Sequence, residues 1–163
     1  MSIRIRLARG GDVPFLREML YEAAYWRGGH RPGLEMGLST PELSKLLADW
    51  GRDGDIAVVA ERDPELLGAA WLRFWDDLDH SFGYVAREVP ELGIGVSARH
   101  RSLGIGRQLM TRLLSEARLA GIAQVSLSVE RDNRAFHLYR SLGFKSVGVV
   151  GNSYTMVVNT GDG

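Results

Sequence analysis

Apolar residues recur along this chain in two rhythms, a period of two that marks strands and a period near 3.6 that marks helices. Ile3, Ile5 and Leu7 alternate with Arg4 and Arg6, which predicts a short first strand. Asp12 is expected to cap a helix with Pro14 in its first turn, running through "PFLREMLYEAAYW" to Gly28 and Gly29. "GGHRPGLEMGLS" reads as a loop, after which Thr40 and Pro41 open a second helix, "PELSKLLADW", stopped by Gly51. "DIAVVAER" and "ELLGAAWLRFW" flank Asp63-Pro64 as a hairpin. A polar excursion, "DDLDHSFGYVAREVP", leads to a central strand, "ELGIGV".

A third helix begins after Gly104, with Ile105, Leu109, Leu113, Ala117 and Ala120 on one face, Met110 and Leu114 beside it, and an end at Gly121. "IAQVSLSV" is a further strand. "DNRAFHLYRSLG" is a short helix capped by Asp132 and closed by Gly143, expected to bury Ala135, Leu138 and Leu142 with Tyr139 at the edge of that stripe. "FKSVGVVGNSYTMVVN" supplies two last strands around Gly151-Asn152. The order β-α-α-β-β-β-α-β-α-β-β implies a mixed α/β sheet in one domain spanning residues 1–163.

Composition narrows the function classes. Twenty basic residues balance twenty acidic ones, which disfavours nucleic acid as a partner. The chain has no cysteine, so it holds neither disulfides nor thiolate metal sites, and a reducing cytoplasm is the expected setting. Charges interrupt every apolar run in "MSIRIRLARGG", unlike a signal peptide, and no stretch approaches a membrane span, so no membrane partner is expected. No His, Asp or Glu spacing suggests a metal site, and no serine stands in a nucleophile-elbow context.

The segment "HRSLGIGRQLM", His100 to Met110, carries the clearest chemical signal. A glycine pair opening a helix presents backbone N–H groups and the positive end of the helix dipole to a phosphate. A dinucleotide fingerprint fails here, because Leu109 stands where a third glycine belongs and "SARHRSL" separates Val96 from Gly104, whereas that turn is tight. A P-loop fails for want of Gly-Lys-Ser/Thr. A basic loop leading into a helix N-terminus remains, either as a phosphate cradle or as a glycine-rich turn that simply starts a helix. Gly93 and Gly95 inside the central strand mark a bulge, a close backbone approach, or small residues beneath a bulky neighbour.

"R-S-L-G-I-G", Arg101 to Gly106, resembles the Q/R-x-x-G-x-G/A signature of the GNAT superfamily of N-acetyltransferases. "ELGIGV" before it and "DNRAFHLYRSLGF" after it are similar to that family's central strand and its N-x-x-A-x-x-x-Y-x-x-x-G-F-like segment, and the element order is similar from Ile3 to Val158. The resemblance implies a GNAT-like, mostly antiparallel sheet and acetyl-CoA as cosubstrate. Its pyrophosphate would lie on the backbone of Arg101, Ser102, Leu103, Gly104, Ile105, Gly106 and Arg107, with Arg101 and Arg107 as counter-charges. Ser102 departs from the family, which usually has glycine there. The pantetheine arm would pair with Ile94 and Val96, leaving an amide near Gly95 to polarise the thioester carbonyl.

By the same resemblance Tyr139 is the general acid, Asn133 touches the pantetheine or acyl end, and Glu91 is the base that takes the amine's proton. From the residues alone, Tyr139 reads as a core tyrosine with a bonded hydroxyl, with Asn133 open as a helix-start residue and Glu91 as a solvated strand-start glutamate. His100 reads as packing, and His80 could face the acceptor. The acceptor amine would meet Tyr21, Tyr25, Trp26, Trp71, Phe74 and Trp75 beside Asp76, Asp77 and Asp79, or these are a helix face and a solvated acidic hairpin. The expectation is direct acetyl transfer to a primary amine, with a catalytically silent acyl-CoA-binding module as the alternative and a nucleotide-dependent oxidoreductase as a weaker third. "SYTMVVN" is expected as an edge strand able to pair across a homodimer.

Overall fold

A computed structural model describes residues 2–161. The elements are β1 (Arg4–Leu7), α1 (Val13–Ala24), α2 (Leu34–Gly37), α3 (Pro41–Ser44), β2 (Ile56–Arg62), β3 (Glu65–Arg73), β4 (Glu91–Val96), α4 (Ile105–Leu119), β5 (Gln124–Glu130), α5 (Ala135–Ser141), β6 (Lys145–Val150) and β7 (Ser153–Asn159). The fold is a mixed α/β one, with a seven-stranded mixed sheet in the order β1-β2-β3-β4-β5-β7-β6. Among the described residues no helix is long and apolar enough to cross a membrane. The chain divides into two compact units, one reaching to Trp71 and including Gly93–Leu113, the other made of Leu72–Leu92 and the chain from Leu114 on.

The first unit buries both faces of β2 and β3, which is why "IAVVA" reads as an unbroken apolar run. Ala57, Val59, Ala69 and Trp71 join Leu16, Met19 and Leu20 of α1 on one side. Val58, Ala60 and Ala70 alternate to the opposite side, where a Cβ at Gly68 would stand 3.1 Å from Leu109 of α4. Ile105, Leu109, Met110 and Leu113 are buried as the 3.6-residue pattern predicts, while Ala120 is exposed because α4 ends one residue short of it. Arg112 of α4 donates to the Ile5 carbonyl at 2.9 Å, tying the helix to β1.

Three expectations change in this unit. Asp12 does not cap α1 with its side chain. Its carboxylate instead accepts from the Arg6 guanidinium at 2.8 and 3.2 Å and from the Arg9 amide at 2.7 Å, and the Arg6 bond holds it below the usual carboxylate range. The predicted helix from Pro41 to Trp50 stops at Ser44, because Leu47 turns into the core and Asp49 and Gly51 take positive φ. The expected loop before it contains α2, where the Tyr21 hydroxyl donates to the Pro32 carbonyl and the Tyr25 hydroxyl to the Gly37 carbonyl at 3.0 Å.

In the second unit β5 pairs antiparallel with β7 from Gln124↔Asn159 to Glu130↔Ser153, and β7 pairs with β6. "SYTMVVN" is therefore an interior strand, and the edge belongs to β6, all six of whose residues are exposed. The β6–β7 register shifts between Ser146 and Gly148, which makes Val147 an extra residue in the ladder. β4 meets β5 in parallel register at Glu91↔Ser126, where the Ser126 amide donates to the Pro90 carbonyl at 3.0 Å.

The glycines of β4 have a packing reason. A Cβ on Gly93 would lie 2.5 Å from the Trp71 ring nitrogen, and one on Gly95 only 2.2 Å from the Met19 carbonyl oxygen of α1. Backbone cannot yield as a flexible side chain can. Gly95→Ala is expected to lower stability by about 1–3 kcal/mol or more, read as a lower urea midpoint at an unchanged m-value. An unchanged midpoint would mean that α1 stands off the strand.

Candidate active site

The candidate phosphate loop is built by a change of backbone hand. After β4 a 3-10 turn, Ala98–His100, tucks His100 inward to 7% exposure, its ring 3.1 Å from the Ser97 hydroxyl and 3.5 Å from the Glu65 carboxylate. His100 thus packs, as its place in the sequence suggests. Ser102 then takes φ +67 and Gly104 φ +79 before α4 begins at Ile105. Space around a Gly104 Cβ is open, so the left-handed conformation is what calls for glycine there. Ser102 holds the same conformation at a cost of about 1–2 kcal/mol. That gives a physical reason for the glycine common at this place in the family. Arg101 to Gly104 are exposed, beside the start of α4, where the positive end of the helix dipole lies.

The edge of β4 leads into this loop. The Ser97 amide donates to the Leu67 carbonyl at 2.9 Å, so by strand alternation the backbone groups of Gly93 and Gly95 face β3, and those of Ile94 and Val96 point to the other edge. The Val96 carbonyl accepts a bond from Arg101 Nε at 3.3 Å, and Arg101 Nη2 lies 3.2 Å from Glu22 Oε1. Ile94, Gly95, Val96 and Arg101 to Arg107 therefore lie together in the first unit. Arg101, read from sequence as a counter-charge beside the phosphates, is paired with Glu22 in this structure. Nothing in the sequence pointed to Glu22, an ordinary glutamate of α1 that is 79 positions from Arg101.

Glu91, Asn133 and Tyr139 belong to the second unit. Glu91 Oε2 accepts the Gly83 amide at 2.9 Å, fixing the carboxylate at the start of β4. Its other oxygen, Oε1, is buried, so Glu91 is no solvated strand-start residue. Asn133 Oδ1 accepts the Ala135 amide at 2.9 Å, the bond of a helix-start residue. Tyr139 reverses its expected place. It is the buried residue of α5, while Ala135, Leu138 and Leu142 are half-buried, and its ring lies 6.0 Å from that of Phe144. Burial pushes its phenol up to about 12.

The residues read as an acceptor wall are largely spent on structure. Trp71 and Trp75 are buried, and the Tyr21 and Tyr25 hydroxyls hold the segment around α2. Asp76 closes its own turn by accepting the Leu78 and Asp79 amides at 2.9 and 2.8 Å. Asp77 accepts the Tyr84 hydroxyl, and His80 stacks on Tyr84 at 4.5 Å. Phe74 lines a separate cavity of about 350 Å³ with Val89 and Ile122.

Residues 16–144 match the acetyltransferase (GNAT) family. The L-amino acid N-acyltransferase MnaT of Escherichia coli (strain K12) is 30% identical over 150 residues, covering 86% of this chain and 78% of that protein. The L-methionine sulfoximine/L-methionine sulfone acetyltransferase of Salmonella typhimurium (strain LT2) is 30% identical over 146 residues, with the same coverages of 86% and 78%. The structure of YncA from Salmonella typhimurium with its cofactor acetyl-CoA superposes with a TM-score of 0.68 at 25% identity, over 100% of this chain and 96% of that one. With the family model spanning most of the chain, the chain belongs to the GNAT acetyltransferase family, as an acyltransferase enzyme.

Proposed function

We propose that the protein transfers the acetyl group of acetyl-CoA directly to the primary amine of a small amino acid or a close analogue. The observation that carries the cosubstrate is the exposed loop in which Ser102 and Gly104 take positive φ immediately before a 15-residue helix. Its backbone, from Arg101 to Arg107, suits a pyrophosphate, and the amide and carbonyl of Ile94 and Val96 suit the pantetheine arm. The acceptor class is supported by the two relatives at 30% identity, one named for L-amino acids and one for methionine derivatives.

In this reading Glu91 takes a proton from the ammonium form of the acceptor, whose ordinary pKa is about 8–10. The amine nitrogen attacks the thioester carbon, the C–N bond forms, the C–S bond breaks with its electron pair on sulfur, and the nitrogen gives up its second proton, which replaces the one that Tyr139 supplies to sulfur. The amide near Gly95 polarises the carbonyl oxygen, Asn133 steadies the pantetheine or acyl end, and Tyr139 gives its proton to the departing sulfur. A phenol pushed up to about 12 keeps that proton ready at every working pH. A thiolate forming in dry surroundings is itself raised by desolvation, which narrows the gap between donor and acceptor.

CoA-thiol release from acetyl-CoA across L-amino acids, polyamines and peptides tests this reading. Release with amino acids is expected. Release with polyamines or peptides alone would keep the transferase and discard the acceptor class. No release, with acetyl-CoA still raising the melting temperature, would favour a silent acyl-CoA-binding module.

Glu91→Gln separates chemistry from scaffolding, because glutamine retains an oxygen for the Gly83 amide and loses the proton acceptor. Turnover near neutral pH is expected to fall by about 10²–10⁴ with acetyl-CoA binding unchanged, checked by the steady-state rate and the thermal shift. A rate within threefold of wild type, on the order of measurement scatter for one kcal/mol or less, would remove Glu91 from the base's role.

A further inference from the structure

We propose that Glu22 is a positioning residue that sets the affinity for acetyl-CoA by holding Arg101 on the edge of β4. This inference rests on the acetyl-CoA reading and adds a residue to it. Arg101 makes two contacts, Nη2 to Glu22 Oε1 at 3.2 Å and Nε to the Val96 carbonyl at 3.3 Å. The second contact occupies one of the backbone acceptors suited to a pantetheine amide. The first neutralises the cation that stands at the head of the phosphate loop. Arg101 therefore blocks one half of the cofactor's footprint and is withheld from the other.

The pairing is built to be exchanged. Glu22 does not depend on Arg101, because Arg31 Nη1 lies 3.0 Å from Glu22 Oε2 and Arg31 Nη2 also donates to the Tyr25 carbonyl at 2.8 Å. When Arg101 leaves, the Glu22 charge stays paired. The side chain of Arg101 is 40% exposed against 18% for Glu22, so it is the arginine that can swing with little loss of burial. The neighbouring cation Arg99 is held separately by Glu65 at 3.0 Å and does not compete for Glu22. Acetyl-CoA then completes an exchange: its pyrophosphate takes Arg101 from Glu22, and its pantetheine takes Val96 from Arg101. A ligand gains only what distinguishes its bound state from its free one, so the strength of the Glu22–Arg101 pair is subtracted from cofactor affinity.

The test measures acetyl-CoA dissociation constants by calorimetry for wild type, Glu22→Gln, Arg101→Ala and the double variant, with melting temperatures as a check on folding. Glutamine keeps an oxygen for Arg31 and loses the charge that restrains Arg101. Glu22→Gln is expected to bind acetyl-CoA about three- to tenfold more tightly, with a steeper loss of affinity as salt rises, because a further cation meets the phosphates. The gain is expected to vanish in the Arg101→Ala background. A gain that survives there, or weaker binding in a folded Glu22→Gln, overturns the proposal. Should that variant fail to fold, Arg101→Lys replaces it: an ammonium without Nε cannot bridge Glu22 and Val96 together, and tighter binding than in Arg101→Ala is the expected result. Equal binding in the two would overturn the exchange. Failure of the wild type to bind acetyl-CoA at all overturns the cosubstrate reading and this inference with it.

Discussion

Tyr139→Phe is expected to bind acetyl-CoA as the wild type does and to turn over about 10²–10⁴ times more slowly, the usual range for losing a general acid. Phenylalanine preserves the ring that sits 6.0 Å from Phe144, so the second unit keeps its packing and the loss is confined to one proton. The two kinetic constants separate the possibilities. A fall in kcat and kcat/KM together, with the acetyl-CoA thermal shift intact, assigns the hydroxyl to a step beyond binding. Unchanged turnover would leave Tyr139 as a core residue only.

The raised phenol makes a second readout. Folding holds its proton more tightly than the unfolded chain does, so this contribution to stability is present below pH ~10 and is lost as the pH climbs towards about 12. Tyr139→Phe should remove that alkaline decline. In the working range the residue stays protonated, so the pH dependence of the rate should belong to other groups.

Gly104→Asp is expected to abolish measurable acetyl-CoA binding, by 100-fold or more, roughly what one carboxylate set against phosphates in place of open backbone would cost. Sterics are not the cause, because a Cβ there meets nothing within 4 Å. The φ of +79 is one that Asp and Asn tolerate better than other side chains, so the fold should survive. Gly104→Asn is the control, sharing shape and backbone preference without the charge. Calorimetric titration should give aspartate far weaker than asparagine, with asparagine nearer to wild type. If aspartate binds acetyl-CoA as the wild type does, the pyrophosphate does not lie on this loop.

These two positions also show how legible the protein is. Gly104 could be read from sequence because its reason is local: a positive φ, a helix start and a basic loop all lie within a few residues. The ends of β4 and the inward face of α4 were legible for the same reason, as alternation or 3.6-residue period decided them. Tyr139 was harder. The stripe Ala135, Leu138, Leu142 is the more apolar face of α5, yet tertiary packing turned the tyrosine inward. Pro41 to Trp50 carried a helical pattern, and burial of Leu47 together with the left-handed Asp49 overrode it. Gly93 and Gly95 announced a close approach or a bulky neighbour, but which ones, Trp71 and the Met19 carbonyl, lie on other elements and were not legible. Glu22 was invisible, because an ion pair across 79 positions leaves no periodic trace. Of the aromatic and acidic residues set beside the acceptor, Tyr21, Tyr25, Trp71, Trp75, Asp76 and Asp77 are bonded or buried within the fold, which composition alone does not reveal.

The extra residue Val147 in β6 bears on how the protein behaves at high concentration. This strand leaves one long side of the sheet open, with Val147, Val149 and Val150 all at least half exposed, the makings of a seed for aggregation. The shifted register interrupts the spacing of its backbone donors and acceptors, so a straight strand from a neighbouring molecule cannot zip along its whole length. An irregularity that weakens one ladder thus guards against endless addition of others.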